Sequence, residues 1–404
     1  MNRREDSKDQ NEKEKYKIPD IDLVVVDLYP FEQKPDIETI DIGGVSLIRA
    51  AAKNYEDVAV ISSREQYKDF KLETTLEERK KLAGEAFART SAYDLAIRSY
   101  FQGMPLRYGE NPHQSAQFVG NLNESFIQLH GKELSYNNLM DTEAAITLVY
   151  DFAEPAFAII KHMNACGLAV AAEGKLIDAY KKAYAADPVS AFGGTLAANR
   201  EVSEDIAAEI QKQKLFVEVI IAPGFSDKAL EILKEKKDCR ILKWQRPSLP
   251  FRLIRTSFTG LLIQDRDAHV ESEKDFTTVT KRKPTQKEIK DLLVANIATK
   301  HLKSNAIALV KDGALIAMGC GQTSRVDALK QALEKAKNFG LDVKGAVMAS
   351  EAFFPFPDCV EIAGATGITA VIHPGGSKND QASIDMADSL GMTMVVTGVR
   401  HFKH

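Results

Sequence analysis

Two hydrophobic periods alternate along this chain. Short, nearly continuous apolar runs read as strands: DLVVVDLYPF (22–31), DVAVISS (57–63), AFAII (156–160), FVEVIIAPG (216–224), ITAVIHPGG (368–376) and MTMVVTG (392–398). The first of these predicts a buried strand ending at Tyr29-Pro30. Between them lie stretches with apolar positions three and four apart, which predict helices at 40–54 after a Gly-Gly turn, 72–101, 140–153, 176–187, 285–302 and 325–340. The fifth starts on Thr285-x-x-Glu288, a capping signal, and the last stops at Gly340. NAIALVKDGALIAMGCG (305–321) reads as two strands around Asp312-Gly313, a hairpin signal. Strand and helix alternate on both sides of a Gly- and Pro-punctuated loop, QGMPLRYGENPHQ (102–114), so the class is α/β in layers. Residues 245–282 are charged and irregular and predict a linker or long crossover, and no close internal sequence repeat stands out.

A chain of 404 residues predicts two or three domains. Residues 1–17 are charged with almost no apolar positions and predict a disordered segment. The expected divisions are then 18–102, 103–275 and 276–404. A net charge of −4 lacks the basic excess of a nucleic-acid binder. No apolar run reaches membrane-spanning length, so no membrane partner is expected. Cys166, Cys239, Cys320 and Cys359 lie far apart with no C-x-x-C pair, which fits a reducing compartment; the expected location is the cytoplasm.

Several clusters carry candidate chemistry. Lys161-His162 follows the AFAII strand, and strand ends in α/β sheets face the ligand crevice. A His there can serve as general base and a Lys can stabilise negative charge, though the dipeptide alone equally reads as a polar cap on a strand. Arg107-Tyr108 in a Gly-containing loop suits a phosphate, or is simply an interdomain loop. GCGQTSR (319–325) permits close backbone approach and offers donors, and the aromatic cluster AFFPFPD (352–358) either holds a flat heterocycle or is core. RHFKH (400–404) would by default be a frayed basic tail. His269-Val270-Glu271 matches half of a zinc-deaminase signature, but no P-C-x-x-C follows.

Together, DLVVVDLYPF, IDIGGVSLIRAAAKN, LRYGENPHQ, the KHxNxCG-type cluster, AFGG, VIIAPG, GCGQTSR, AFFPFPD and RHFKH occur in an order that resembles the bifunctional purine-biosynthesis family, which combines AICAR transformylase with IMP cyclohydrolase. The resemblance runs from about residue 17 to the last residue. It implies two cytidine-deaminase-like α/β/α subdomains without zinc, preceded by a partial α/β cyclohydrolase segment. It implies AICAR as acceptor, 10-formyltetrahydrofolate as donor, no catalytic metal, and a homodimer with active sites across the interface. His162 would be the general base and Lys161 its electrostatic support. Arg107, Tyr108 and Arg400 would hold the ribonucleotide phosphate. Asn138, Asn305, Gln322, Arg325, Phe353, Asp358 and His404 would line the nucleotide and folate sites, with Glu218 as a nearby acid.

Met163 and Ala165 depart from the Ala and Pro common in bacterial relatives, which predicts a less rigid loop after His162. Of the cyclohydrolase, Tyr29, Asp41 and Lys53 match the family, whereas a short charged segment stands where the family carries an early Gly-rich phosphate loop and a catalytic Lys. The expectation is therefore a transformylase with a lost or reduced cyclohydrolase. The rivals are a fully bifunctional enzyme and a non-catalytic nucleotide-binding protein.

Overall fold

The computed structural model describes residues 7–171, 175–245 and 249–404. The chain forms two compact units, Met1–Pro105 with Gln117–Asn121, and Leu106–Ala116 with Leu122–His404. The first contains α1 (Ser7–Tyr16), β1 (Leu23–Val25), α2 (Gly43–Lys53), β2 (Ala59–Ile61) and α3 (Leu76–Gln102), and β3 (Gly103–Leu106) pairs with β4 (Ala116–Val119). Ile48, Ala51 and Ala52 of α2 pack with Val60 and with Ala83 and Ala86 of α3. Arg79 ties α3 to the carbonyls of Tyr55, Thr74 and Glu56 at 2.9, 2.7 and 2.7 Å.

Within the charged N-terminus, Ser7–Tyr16 form a helix, α1, and residues 1–6 of the expected disordered segment lie outside the described residues. The Lys, Glu and Gln residues of α1 are good helix formers, and Lys13 pairs with Asp20 at 2.6 Å. One expectation fails in this unit. The DLVVVDLYPF run is not a buried strand: β1 is three residues long, pairs among the described residues with β2 alone, and leaves Val25 half exposed. With an open edge and one covered side, an apolar sequence alone does not bury a strand.

The second unit is built on one sheet of twelve strands. In chain order its elements are β5 (Phe126–His130), α4 (Tyr136–Tyr150), β6 (Ala156–Lys161), β7 (Asn164–Val170), α5 (Leu176–Ala186), α6 (Pro188–Ala191), β8 (Gly194–Ala198), α7 (Glu204–Lys212), β9 (Val217–Ala222), α8 (Asp227–Lys234) and β10 (Arg240–Trp244). A separate hairpin follows, β11 (Arg252–Ser257) and β12 (Gly260–Asp265). Then come β13 (Thr277–Thr278), α9 (Gln286–His301), β14 (Ile307–Lys311), β15 (Ala314–Gly319), α10 (Arg325–Asn338), β16 (Val347–Ser350), α11 (Asp358–Ala365), β17 (Ala370–His373), α12 (Asp380–Ser389) and β18 (Thr393–Val396). The sheet order is β13-β18-β17-β16-β14-β15-β7-β6-β8-β9-β10-β5.

That order is the same list read outward twice from the β15/β7 seam. Each half starts with a hairpin, passes through three parallel strands, and ends on an antiparallel edge strand. The duplication extends to detail. Capping boxes Ser135–Asn138 and Thr285–Glu288 open α4 and α9. The first hairpin strand slips register between Ile159 and Ile160 in one half and between Leu309 and Val310 in the other. Lys161 donates to the carbonyl of Phe192 at 3.0 Å, and Lys311 to that of Asp342 at 3.2 Å. The sequence shows no such repeat because the fold requires apolar positions there, not particular residues.

Alternate strand residues serve opposite layers, as the period of two dictates. Ala158 and Ile160 of β6, with Ala308 and Val310 of β14, pack under α4 and α9 in one continuous core. Phe157 and Ile159 face α5 and α7, and Ile307 and Leu309 face α10, α11 and α12. Strands buried on both faces explain the uninterrupted apolar runs. Within 245–282 the expected irregular crossover holds the β11–β12 hairpin, whose Leu253, Ile254, Leu261, Leu262 and Ile263 are exposed. Short apolar-polar mixtures hide a strand when both its faces meet solvent. Among the described residues, no helix is long and apolar enough to cross a membrane.

Candidate active site

β6 ends on Lys161 and β7 begins on Asn164, so the hairpin loop is His162-Met163 alone. Both residues lie in the left-handed region, with φ of 50° and 64°. Two-residue hairpins favour this geometry, but a side chain there costs on the order of 1 kcal/mol per residue. The turn is fixed from outside. Asp141 Oδ1 of α4 accepts the N–H of Met163 at 2.7 Å, and Asn164 Nδ2 donates to the His162 carbonyl at 2.9 Å. Ala165 is buried and paired within β7, so the loosening expected after His162 has no counterpart in the geometry. Burial raises the Asp141 pKa above the usual carboxylate range, against the opposing pull of the Met163 N–H and the charges of His162 and Lys161.

Lys161 Nζ donates to the carbonyls of Phe192 and Gly193 at 3.0 and 2.9 Å, which holds the ammonium at the AFGG segment. The His162 side chain is exposed, and among the described residues it has no hydrogen-bond or ion-pair partner. This leaves its imidazole available to a ligand.

The second half of the sheet supplies the facing wall. Asn164 Oδ1 accepts from Lys303 N at 3.4 Å and lies 3.5 Å from Cys320 Sγ. Asn305 and Gln322 pair: Asn305 donates from N and Nδ2 to the Gln322 carbonyl at 3.1 and 3.0 Å. Gln322 Nε2 donates to the carbonyl of Cys320 at 3.1 Å. Arg325 is committed inside the fold, with Nε on Ser350 Oγ and Nη2 on Glu351 Oε1, both at 2.9 Å.

The basic tail is not frayed. Ser304 N donates to the Lys403 carbonyl at 2.9 Å, Lys403 N to Ser304 Oγ at 3.1 Å, and Lys403 Nζ to the His301 carbonyl at 2.9 Å. His401 N donates to the carbonyl of Glu351, the same residue that holds Arg325. The His401 ring is buried between Asp267 Oδ2 at 2.6 Å and Glu271 Oε1 at 2.7 Å. Burial disfavours its charge, but the bonds to the two carboxylates outweigh that and raise its pKa to about 9. Arg400 lies over the Phe402 ring at 4.3 Å, and His404 packs on the other side of the sequence at 5.6 Å from the same ring.

Other expected site residues take less direct places. Arg107 Nη2 meets Tyr108 Oη at 2.7 Å, in a loop closed by Gly109 N to the Gln114 carbonyl at 2.7 Å. Asn137 Nδ2 anchors that loop to α4 through the Glu110 carbonyl at 3.2 Å. Asn138 spends its carbonyl oxygen on Ser135 N at 3.1 Å, completing the helix cap. Glu218 pairs with Arg240 at 2.7 Å. Phe353 is exposed, while Asp358 opens α11 and accepts the N–H of Cys359 at 2.7 Å.

A cleft of about 310 Å3 opens at the ends of β17 and β18, lined by His373, Gly375, Asp380, Val396 and Thr397. His373 Nδ1 accepts the Gly375 N–H at 3.0 Å, and burial lowers the ring pKa to about 4. The ring is therefore neutral with its proton on Nε2, and that buried donor has no hydrogen-bond partner among the described residues. His373 and Asp141 were missed from sequence, and His401 was singled out only as part of the basic RHFKH cluster. The position of Asp141 in YNNLMD beside Asn138 was the one available signal.

In the first unit, Asp41 Oδ1 accepts Gly44 N at 2.6 Å, and its own N–H donates to Tyr93 Oη at 2.8 Å. Tyr29 and Lys53 are exposed, and no hydrogen bond or ion pair joins either to Asp41 among the described residues.

A family model described as AICARFT/IMPCHase bienzyme matches residues 51–335, well over half of the chain. The chain belongs to this bienzyme family. Similar proteins include the bifunctional purine biosynthesis protein PurH of Bacteroides thetaiotaomicron, 52% identical over 430 residues, covering 100% of this chain and 84% of that protein. PurH of Rhodospirillum rubrum is 47% identical over 436 residues, covering 96% of this chain and 82% of its own length. PurH of Acetivibrio thermocellus is 44% identical with the same coverage.

Proposed function

We propose that this chain transfers the formyl group of 10-formyltetrahydrofolate to AICAR, giving formyl-AICAR and tetrahydrofolate in purine biosynthesis. The observation that carries the reading is the His162 turn: an unpartnered imidazole beside an anchored ammonium, on a backbone clamped by Asp141. The acceptor amine is conjugated with a carboxamide and is a poor nucleophile. Transfer then needs orientation, removal of the amine proton, and stabilisation of the tetrahedral oxyanion. His162 takes the proton, and Lys161 stabilises the developing negative charge. Arg107, Tyr108 and Arg400 bind the ribonucleotide phosphate. Asn305, Gln322, Asn138 and Glu218 line the nucleotide site. Arg325 shapes it through Glu351, and Phe353, Asp358 and His404 border the folate. The unpaired Nε2–H of His373 suits an acceptor atom on the folate heterocycle, which we place in the adjoining cleft. The halves around the β15/β7 seam correspond to two cytidine-deaminase-like subdomains within 103–275 and 276–404.

The cyclohydrolase step is reduced or lost in this chain, in our reading, because among the described residues no hydrogen bond or ion pair joins Tyr29 or Lys53 to Asp41 and the sheet beside them has two strands. A homodimer fits the exposed apolar residues of the β11–β12 hairpin, which a second copy would cover. A steady-state assay with AICAR and 10-formyltetrahydrofolate tests the whole reading by following tetrahydrofolate, formyl-AICAR and IMP together. Tetrahydrofolate and formyl-AICAR should form without IMP, and His162→Gln and Lys161→Met should each lower kcat by about 100-fold or more. IMP above the uncatalysed rate would restore the bifunctional reading. No turnover from folded protein would reject the enzyme.

A further inference from the structure

The duplication gives the His162 turn a counterpart. Lys311-Asp312-Gly313-Ala314 stands 150 positions after Lys161-His162-Met163-Asn164, at the opposite end of the β7/β15 seam. Asp312 and Gly313 repeat the left-handed turn with φ of 54° and 73°. Asp291, at the place in α9 that Asp141 has in α4, clamps it by accepting the N–H groups of Asp312 and Gly313 at 3.1 and 2.6 Å. A groove of about 640 Å3 surrounds this second turn, so the duplicated fold makes the crevice twice.

The lining has changed in one direction. Lys287 and Lys290 stand where α4 has Asn137 and Met140, and Lys182 where α10 has Gln331. Lys181 adds a fourth ammonium group, and Val170 and Val294 give an apolar wall. The charges do not cancel locally. Lys287 is paired with Asp312 at 2.6 Å, Lys182 Nζ donates to the Asp312 carbonyl at 2.6 Å, and the Asp291 carboxylate is turned to the turn's own N–H groups. Asp178 accepts the N–H of Lys175 at 3.3 Å. Among the described residues, Lys181 and Lys290 have no ion-pair or hydrogen-bond partner. With Asp312 in place of the imidazole, the second turn has no base equivalent to His162.

We propose that this groove is a second, non-catalytic binding site for a phosphorylated small molecule, with Lys181 and Lys290 taking the phosphate and Val170 and Val294 the less polar part. Two unpaired ammonium groups that line one groove, from α5 and α9 on opposite faces of the sheet, suit a dianion, and charge-assisted bonds give it strength.

Ribose 5-phosphate is the probe. Calorimetric titration of the Arg107→Gln/Arg400→Gln variant, which disables the proposed substrate phosphate site, should still show one ribose 5-phosphate bound per chain. Adding Lys181→Gln and Lys290→Gln should weaken it by about tenfold or more. On the unmodified protein, ribose 5-phosphate should slow acetylation of Lys181 and Lys290, read by peptide mass spectrometry, relative to exposed Lys228. Binding abolished by the arginine changes alone, binding insensitive to the lysine changes, or no protection of the two lysines would overturn the proposal.

Discussion

Replacing His401 by glutamine isolates what a buried charge does for the docked C-terminus. The ring is almost fully buried between the carboxylates of Asp267 and Glu271, and its pKa rises from 6.5 to about 9. That difference corresponds to about 3 kcal/mol of folding stability. A raised pKa means the folded state holds the proton more tightly. The contribution is complete below about pH 6.5, where both states are protonated. It falls by about 1.4 kcal/mol per pH unit as pH rises toward 9 and is gone above that. Glutamine keeps a donor and most of the volume but cannot carry the charge. Urea unfolding followed by circular dichroism, at several pH values between about 6 and 9.5, should show His401→Gln less stable by about 3 kcal/mol at the acid end. The two proteins should converge at the alkaline end. Glu271 also accepts from Asn296 at 2.9 Å, so the carboxylate stays partly satisfied in the variant. A deficit that is constant across the pH range would refute the argument and assign the role of His401 to packing.

Three other substitutions follow from the same reasoning. Asp141→Ala removes the bond that clamps the His162 turn, and should cost about 1–3 kcal/mol in stability and lower kcat for formyl transfer more than it raises KM for AICAR; an unchanged kcat would separate the clamp from catalysis. Lys300→Met leaves Asp151 with His301 as its remaining partner in a buried site, and should cost about 3 kcal/mol, part of which Asp151→Asn recovers in the double variant, measured by chemical denaturation. His373→Phe fills the same space without the Nε2 donor, and should raise KM for 10-formyltetrahydrofolate about tenfold with KM for AICAR unchanged; equal effects on both would remove the folate from that cleft.

The local elements were legible where one segment contains its own instructions. The Thr285-x-x-Glu288 box marks the start of α9, and Asp312-Gly313 marks the turn between β14 and β15, because caps and tight turns are settled by neighbours in sequence. The β6–β7 hairpin was not read as one, since His162-Met163 carries no Gly or Asn to announce a left-handed turn. The β11–β12 hairpin was missed because its strands bury neither face and so lack an alternating pattern.

Sequence by itself determined the layered α/β class, the strand end that carries Lys161 and His162, and the family to which their motifs belong. Only the tertiary structure decided that the large unit is one fold made twice. It also decided that Asp141 reaches Met163, 22 positions away, and that His401 sits between Asp267 and Glu271, 134 and 130 positions away. Periodicity and capping act over a few residues, so a sequence displays them openly. A buried charge pair or a duplicated crevice depends on which distant segments the assembled sheet brings within 3 Å, and that is settled only when the core is packed.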